Sequence, residues 1–259
     1  MNDALYIAAT GLQAHQSNVD TVANNLANIN TPGFKRTSAN FHDVMRASAA
    51  TAEGDAAATG NLAASPVGVK IASTVKDFSA GELRNTGSAM DIAIRGDGFI
   101  EVQMPDGSTA FSRGGSLVVD KDGLLATVEG HVLRPAIHVG RDISKLAIAA
   151  DGSVSGTDAN GRQTPVLGRI ELVGFANTSG LRAQGDRLFK STEVSGEAVP
   201  VKLGDSGGPS IAQGFVEASN VKLVDEMVTL MVAQRAYEMN VKVIQTADEM
   251  AAMSNNLRR

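Results

Sequence analysis

Residues 3–29 read DALYIAATGLQAHQSNVDTVANNLANI, and their spacing predicts a helix. Leu5, Leu12, Val19 and Leu26 recur every seven residues, and Ala8, His15, Val22 and Ile29 follow three places after each. That is the a/d seam of a coiled coil, with one polar gap at His15. Asn and Gln fill most of the other face. Thr31-Pro32-Gly33 stops the pattern, because Pro cannot continue the hydrogen-bond ladder and Gly frees the backbone to turn.

A second helix is predicted at the other end, over 220–257. Leu223, Met227, Leu230, Tyr237, Val241, Ile244 and Ala251 form a stripe, interrupted by Gln234 and Asp248 and widened by Val224, Val228 and Met231. Asn220 is the expected N-cap, with Asp225 and Glu226 in the first two turns to complement the helix dipole. At 1.5 Å per residue the two helices would be about 40 Å and about 55 Å long. The natural partner for each is the other, or a neighbouring copy.

Between them the pattern changes. Residues 46–66 are rich in Ala, Thr, Ser and Gly and read as a linker. From 69 to 203 short alternating runs, such as Ile100/Val102/Met104, are separated by Asp106-Gly107, Asp122-Gly123, Asp151-Gly152 and Asn160-Gly161. Period 2 with Asp-Gly turns predicts antiparallel hairpins. The fold class expected is α+β: a discontinuous, coiled-coil-like helical domain from the two termini plus a central antiparallel β-domain. The expected boundaries are 1–34 for the N-terminal helix, 35–68 for an Ala/Gly-rich connecting segment, 69–214 for the β-domain and 215–259 for the C-terminal helix.

Each terminus carries roughly seven to ten apolar side chains, worth on the order of 1.5–3 kcal/mol apiece when buried. A compact β-domain cannot cover them. A stripe of this kind is a protein-interaction surface by default; the plain alternative is a helix pair inside an ordinary monomer.

Composition narrows the function. The net charge of −5 and the absence of a basic run argue against nucleic acid. No cysteine is present, which removes disulfides, thiolate catalysis and cysteine-bound metals. Aromatic residues make up 4%, a poor basis for a small-molecule pocket. The start, MNDALYIAATG, lacks the basic and apolar regions of a secretory signal, so any export is expected to use no cleaved signal. Gly-Asp-Ser-Gly-Gly-Pro at 204–209 matches a serine-peptidase nucleophile loop with Ser206 as nucleophile. That second reading, from another functional class, lacks the expected setting for a catalytic base at His15, His42, His131 or His138. Asp120-Lys121-Asp122-Gly123 lacks the later ligands of a calcium loop and reads as a hairpin turn.

The residues also carry a resemblance. ANNLANINTPGFK at 23–35 resembles the N-terminal signature of flagellar rod and hook proteins. Ala9-Thr10-Gly11-Leu12-Gln13-Ala14 looks like the distal-rod version. GDGFIEVQMPDGSTAFSRGGSLVVDKDGLLATVEG at 96–130 is similar to the shared β core, and GFVEASNVKLVDEM with AQRAYEMNVKVIQTADEM, within 214–250, resembles the distal-rod C-terminus. The chain departs from the family pattern at Phe111-Ser112-Arg113, at Leu117 and after Phe41. The last departure leaves a proximal-rod or hook paralogue open.

The resemblance implies a structural subunit, not an enzyme, with no cofactor, metal or small-molecule substrate and no nucleic-acid partner. It implies export through the flagellar export apparatus and assembly into a helical tube that crosses the periplasm and transmits torque. The implied partners are copies of the chain, neighbouring rod and hook subunits, and the surrounding P and L ring proteins. The implied assembly interface comprises Leu5, Leu12, Val19, Val22, Asn24, Asn25, Leu26, Asn28 and Ile29, with Leu223, Met227, Leu230, Gln234, Tyr237, Val241 and Ile244. Asn24, Asn25 and Asn28 are expected to hydrogen-bond across packed helices, and Thr31, Pro32 and Gly33 to turn the chain outward.

Overall fold

Residues 2–47, 64–140, 142–159, 161–204 and 207–256 are described by a computed structural model. The chain divides into two units. The first gathers helix α1 (Asn2–Ala27), strands β1 (Thr37–Ala47) and β2 (Ala64–Lys76), and helix α2 (Leu223–Asn256). The second is built from the described residues of 28–36 and 77–221.

Both long helices form where the heptad pattern places them. α1 stops two residues earlier than its periodicity, so Ile29 falls in a turn. Thr31 N–H donates to Asn28 O at 3.1 Å and Phe34 N–H to Thr31 O at 3.2 Å. α2 begins at Leu223, three residues after the expected cap. Asn220 has other work in the second unit: its Oδ1 accepts from Arg36 N–H at 2.7 Å and its Nδ2 donates to Asp77 O at 2.8 Å. Backbone groups that would otherwise lack a partner compete successfully for a side-chain amide.

In the first unit, β1 and β2 make an antiparallel ribbon running from Thr37 opposite Lys76 to Ala47 opposite Ala64, with irregularities after Asn40 and Val44. Most of this ribbon lies in the stretch 35–68 that the sequence reads as connecting chain. β1 has only Phe41 and Val44 as large apolar residues among those whose side chains are described, too few for a period-2 signal. The linker expected at 46–66 lies largely outside the described residues.

In the second unit the described strand pairs are all antiparallel. Asp91–Arg95 lies between Gly114–Val119 and Ser210–Gln213, and Phe99–Gln103 pairs with Thr109–Ser112 and Val132–Arg134. The hairpin turns fall at the expected dipeptides. Gly107, Gly123, Gly152 and Gly161 all have positive φ, and each donates its N–H back across the turn. Asp120–Gly123 is such a turn. Asn160 lies outside the described residues.

Ile92, Ile94, Ile100, Val102, Leu125, Leu133, Ile170 and Leu172 fill the main core. Five of the eight phenylalanines, Phe78, Phe99, Phe111, Phe175 and Phe189, form a second cluster of edge-to-face rings with centroids 4.8–6.1 Å apart. The scarce aromatics are spent on packing, at about 0.5–1.5 kcal/mol per ring pair beyond area burial.

Candidate assembly surfaces

α1 and α2 pack against each other. From α1, Ala8 and Val22 are buried, His15 is half-buried, and Leu5, Leu12, Val19 and Leu26 lie at the margin, half-buried. The face that α2 buries is not the apolar stripe read from sequence. It is the series Glu226, Ala233 and Ala247, all buried, with Leu230, Asn240, Val241 and Ile244 half-buried beside it. Small residues let the helices approach closely. A Cβ on Gly11 would stand 3.0 Å from Asn240 Nδ2.

Asn25 is fully buried at this seam. Its Nδ2 donates to Thr37 O at 2.7 Å and to Glu226 Oε2 at 3.2 Å, and its Oδ1 accepts from Thr37 N–H at 2.9 Å. One amide therefore ties α1 to the start of β1 and to α2. Asn25 thus bonds from α1 to Glu226 on α2. Asn28 accepts from Thr31 Oγ1 at 3.2 Å and so shapes the turn, while Asn24 is exposed. Buried polar groups with all partners satisfied fix register.

Because Glu226 and the alanines face inward, most large apolar residues in the first three turns of α2 face out, Leu230 excepted. Leu223, Val224, Met227, Val228, Met231 and Val232 are all exposed, Val224 by 70%. Tyr237, expected in the seam, is also exposed, as is Gln234. This leaves about 15 Å of helix surface with six exposed large apolar side chains, a patch of the kind that marks an interaction site.

The ribbon covers another side of α1. Thr10 Oγ1 accepts from Val69 N–H at 3.3 Å, and His15 lies 6.0 Å from the Phe41 ring. Gly68 permits this approach: its φ is +149°, and a Cβ there would stand 2.3 Å from Thr10 Oγ1. Gly68→Ala is expected to destabilise the first unit by about 1–3 kcal/mol through strain and clash. Urea denaturation followed by helical circular dichroism measures it; an unchanged midpoint would contradict the packing described.

In the second unit, the half-buried turn Thr31, Pro32 and Gly33 is held by the backbone. Gly33 N–H donates to Glu217 O at 2.7 Å, and Arg187, which pairs with Glu129, donates to Pro32 O at 3.4 Å. Next to it lies an ionic cluster that sequence pattern did not reveal. Lys35 Nζ, with its side chain 0% exposed, lies 2.7 Å from Glu217 Oε1 and donates to Ser79 O at 2.7 Å. Gly81 N–H donates to the same Glu217 oxygen at 2.8 Å. Arg113 Nε lies 3.4 Å from Glu217 Oε2, Arg113 Nη1 donates to Gly98 O at 2.9 Å, and the guanidinium stacks over Phe99. Two buried cations thus share one carboxylate.

Burial pushes the Lys35 pKa down, against the pull of Glu217. The folded chain therefore gives up this proton more readily than the unfolded chain. Between the two pKa values the unfolded state binds more protons, so the Lys35 contribution to stability rises with pH through that window.

Comparisons with known proteins follow this layout. Residues 5–35 match the family described as Flagella basal body rod protein. Residues 93–156 match the Flagellar hook protein FlgE/F/G D1 domain, and 212–257 match the Flagellar basal body rod FlgEFG protein C-terminal family. Over its whole length the chain is 41% identical to the flagellar basal-body rod protein FlgG of Borreliella burgdorferi, covering 100% of both chains. The chain belongs to the flagellar basal-body rod protein family. It is also 36% identical to FlgG of Bacillus subtilis, over 99% of each chain, and 32% identical to the rod protein FlgF of Mesorhizobium japonicum, over 92% of this chain and 90% of that one. The rod-family matches coincide with α1 and its turn, the central sheet, and α2 with the strand before it. The peptidase reading gains nothing from these relatives, and Ser206, on which it rests, lies outside the described residues.

Proposed function

We propose that the chain is a structural subunit of the flagellar distal rod. It assembles with copies of itself and with neighbouring rod and hook subunits into a helical tube that crosses the periplasm and carries torque from motor to hook. The P and L ring proteins surround that tube. The chain reaches it through the flagellar export apparatus and performs no catalysis. The interface residues named in the sequence analysis on α1 and α2 supply its contacts, and the turn at Thr31–Gly33 leads the chain outward.

The observation that carries this reading is the exposed apolar face at 223–232 on a chain with rod-protein relatives along its full length. A face of that kind is covered by association, and a contact between unlike patches repeats into an open helix. The test is deletion of the gene in its own host. The deletion strain is expected not to swim, to yield basal bodies cut short before the hook, and to recover with a plasmid copy. Normal swimming and full-length rods in the deletion strain would overturn the proposal.

A further inference from the structure

The first unit carries a groove between α1 and the β1–β2 ribbon, of about 380 Å³, lined by Tyr6, Thr10 and Gln13 on the helix and Val44, Val69 and Ile71 on the ribbon. Tyr6, Val44 and Val69 are exposed. Among the described residues, the one charged side chain on its lining is Lys70, also exposed. The apolar segment 223–232 of α2 has the opposite balance. Glu226 is buried at the seam, which leaves Asp225 as the segment's exposed charge.

We infer that this groove receives the 223–232 face of α2 from a second copy of the chain. The inference rests on the self-assembly proposed above and specifies its contact. Two features of the molecule select this occupant. The segment cannot enter its own groove, because α2 is committed to α1 by the opposite face, through Glu226, Ala233, Asn240 and Ala247. The two surfaces also match in kind: an apolar concavity with one cation faces an apolar ridge with one anion. Val224, Val228 and Val232 offer branched side chains to the space beside Val44, Val69 and Ile71, and Asp225 meets Lys70. Complementary charge at such a rim fixes register and disfavours wrong pairings. Since groove and ridge are different patches, each copy still offers one of each after docking, and the contact propagates.

The chain has no cysteine, which makes a crosslinking test clean. Val69→Cys and Val228→Cys chains, mixed, assembled and oxidised, are expected to give a disulfide-linked pair containing one of each. Val69→Cys mixed with Lys242→Cys, whose site lies beyond the apolar segment, is expected to give at least tenfold less. Assembly without the Val69–Val228 crosslink overturns the inference and leaves the rod reading standing. Crosslinking of Val69→Cys chains to each other overturns it in favour of a like-to-like contact, and binding of monomer to anionic phospholipid vesicles that Val228→Asp abolishes overturns it in favour of a membrane surface. Failure of the unmodified chain to assemble at all overturns the inference together with the rod reading. In a second arm, Lys70→Glu is expected to raise the concentration needed for assembly about tenfold, by placing like charges together. Adding Asp225→Lys to the same chain is expected to restore it. Lys70→Glu without effect, or a double variant as poor as the single, contradicts the pairing. Both positions are exposed, so neither change threatens the fold.

Discussion

Replacing Glu217 with Gln is expected to destabilise the second unit by about 3–5 kcal/mol, because it removes the carboxylate that two buried cations share. Lys35 and Arg113 both sit within ion-pair reach of this carboxylate, and each is almost wholly buried. The Gln amide can still accept one hydrogen bond from Lys35 but cannot neutralise either charge, and its NH2 group faces Arg113 with a donor. For a unit of this size the melting temperature should fall by roughly 10 °C. The comparison is Glu101→Gln, which breaks the 3.4 Å pair with a half-exposed Arg134 and should cost less than about 1 kcal/mol. Thermal denaturation of both variants measures the difference. Equal, small losses would mean that the buried cluster carries no net energy.

Met231→Asp is expected to leave the monomer as stable as the parent, within about 0.5 kcal/mol, as for other exposed positions. Assembly and swimming should nevertheless be lost. Met231 is 53% exposed in the lone chain and is surrounded by Met227, Val228 and Val232 on the same face. An aspartate in that patch is harmless in water. On association it becomes a carboxylate moved from water into an apolar contact with no partner, a cost of several kcal/mol. Ala233→Asp, two residues on, behaves differently. Ala233 is buried at the seam between α1 and α2, so a charge there disrupts the helix pair itself. Melting curves and swimming on soft agar separate the two outcomes. A Met231→Asp strain that swims normally would show that this face is not used.

How far the sequence predicted these features depended on which force dominated locally. Both long helices and the Asp-Gly hairpins were legible, because heptad spacing and Gly at positive φ are written directly into residue order. The phase of α2 was not. Its first three turns are apolar nearly all round, from Leu223 to Val232, so hydrophobicity could not tell the inner face from the outer. Close approach decides it instead: Ala233 and Ala247 fit against α1, and Asn25 holds Glu226. The ribbon was hidden for a different reason. Backbone pairing between β1 and β2 and support from α1 outweigh a side-chain pattern too thin to announce a strand. The Lys35–Glu217–Arg113 cluster joins residues up to 182 positions apart, a proximity that no local spacing encodes.

The central claim is that the outward apolar face of α2 is open in the single chain and covered in the assembled tube. Methionine oxidation reads this directly, since a thioether reacts with peroxide only where solvent reaches it. Met227 and Met231 should oxidise in the monomer at nearly the rate of a free methionine, and about tenfold or more slowly in assembled tubes, with half-buried Met90 as an internal reference. Equal oxidation rates for Met227 and Met231 in the two states would contradict the account.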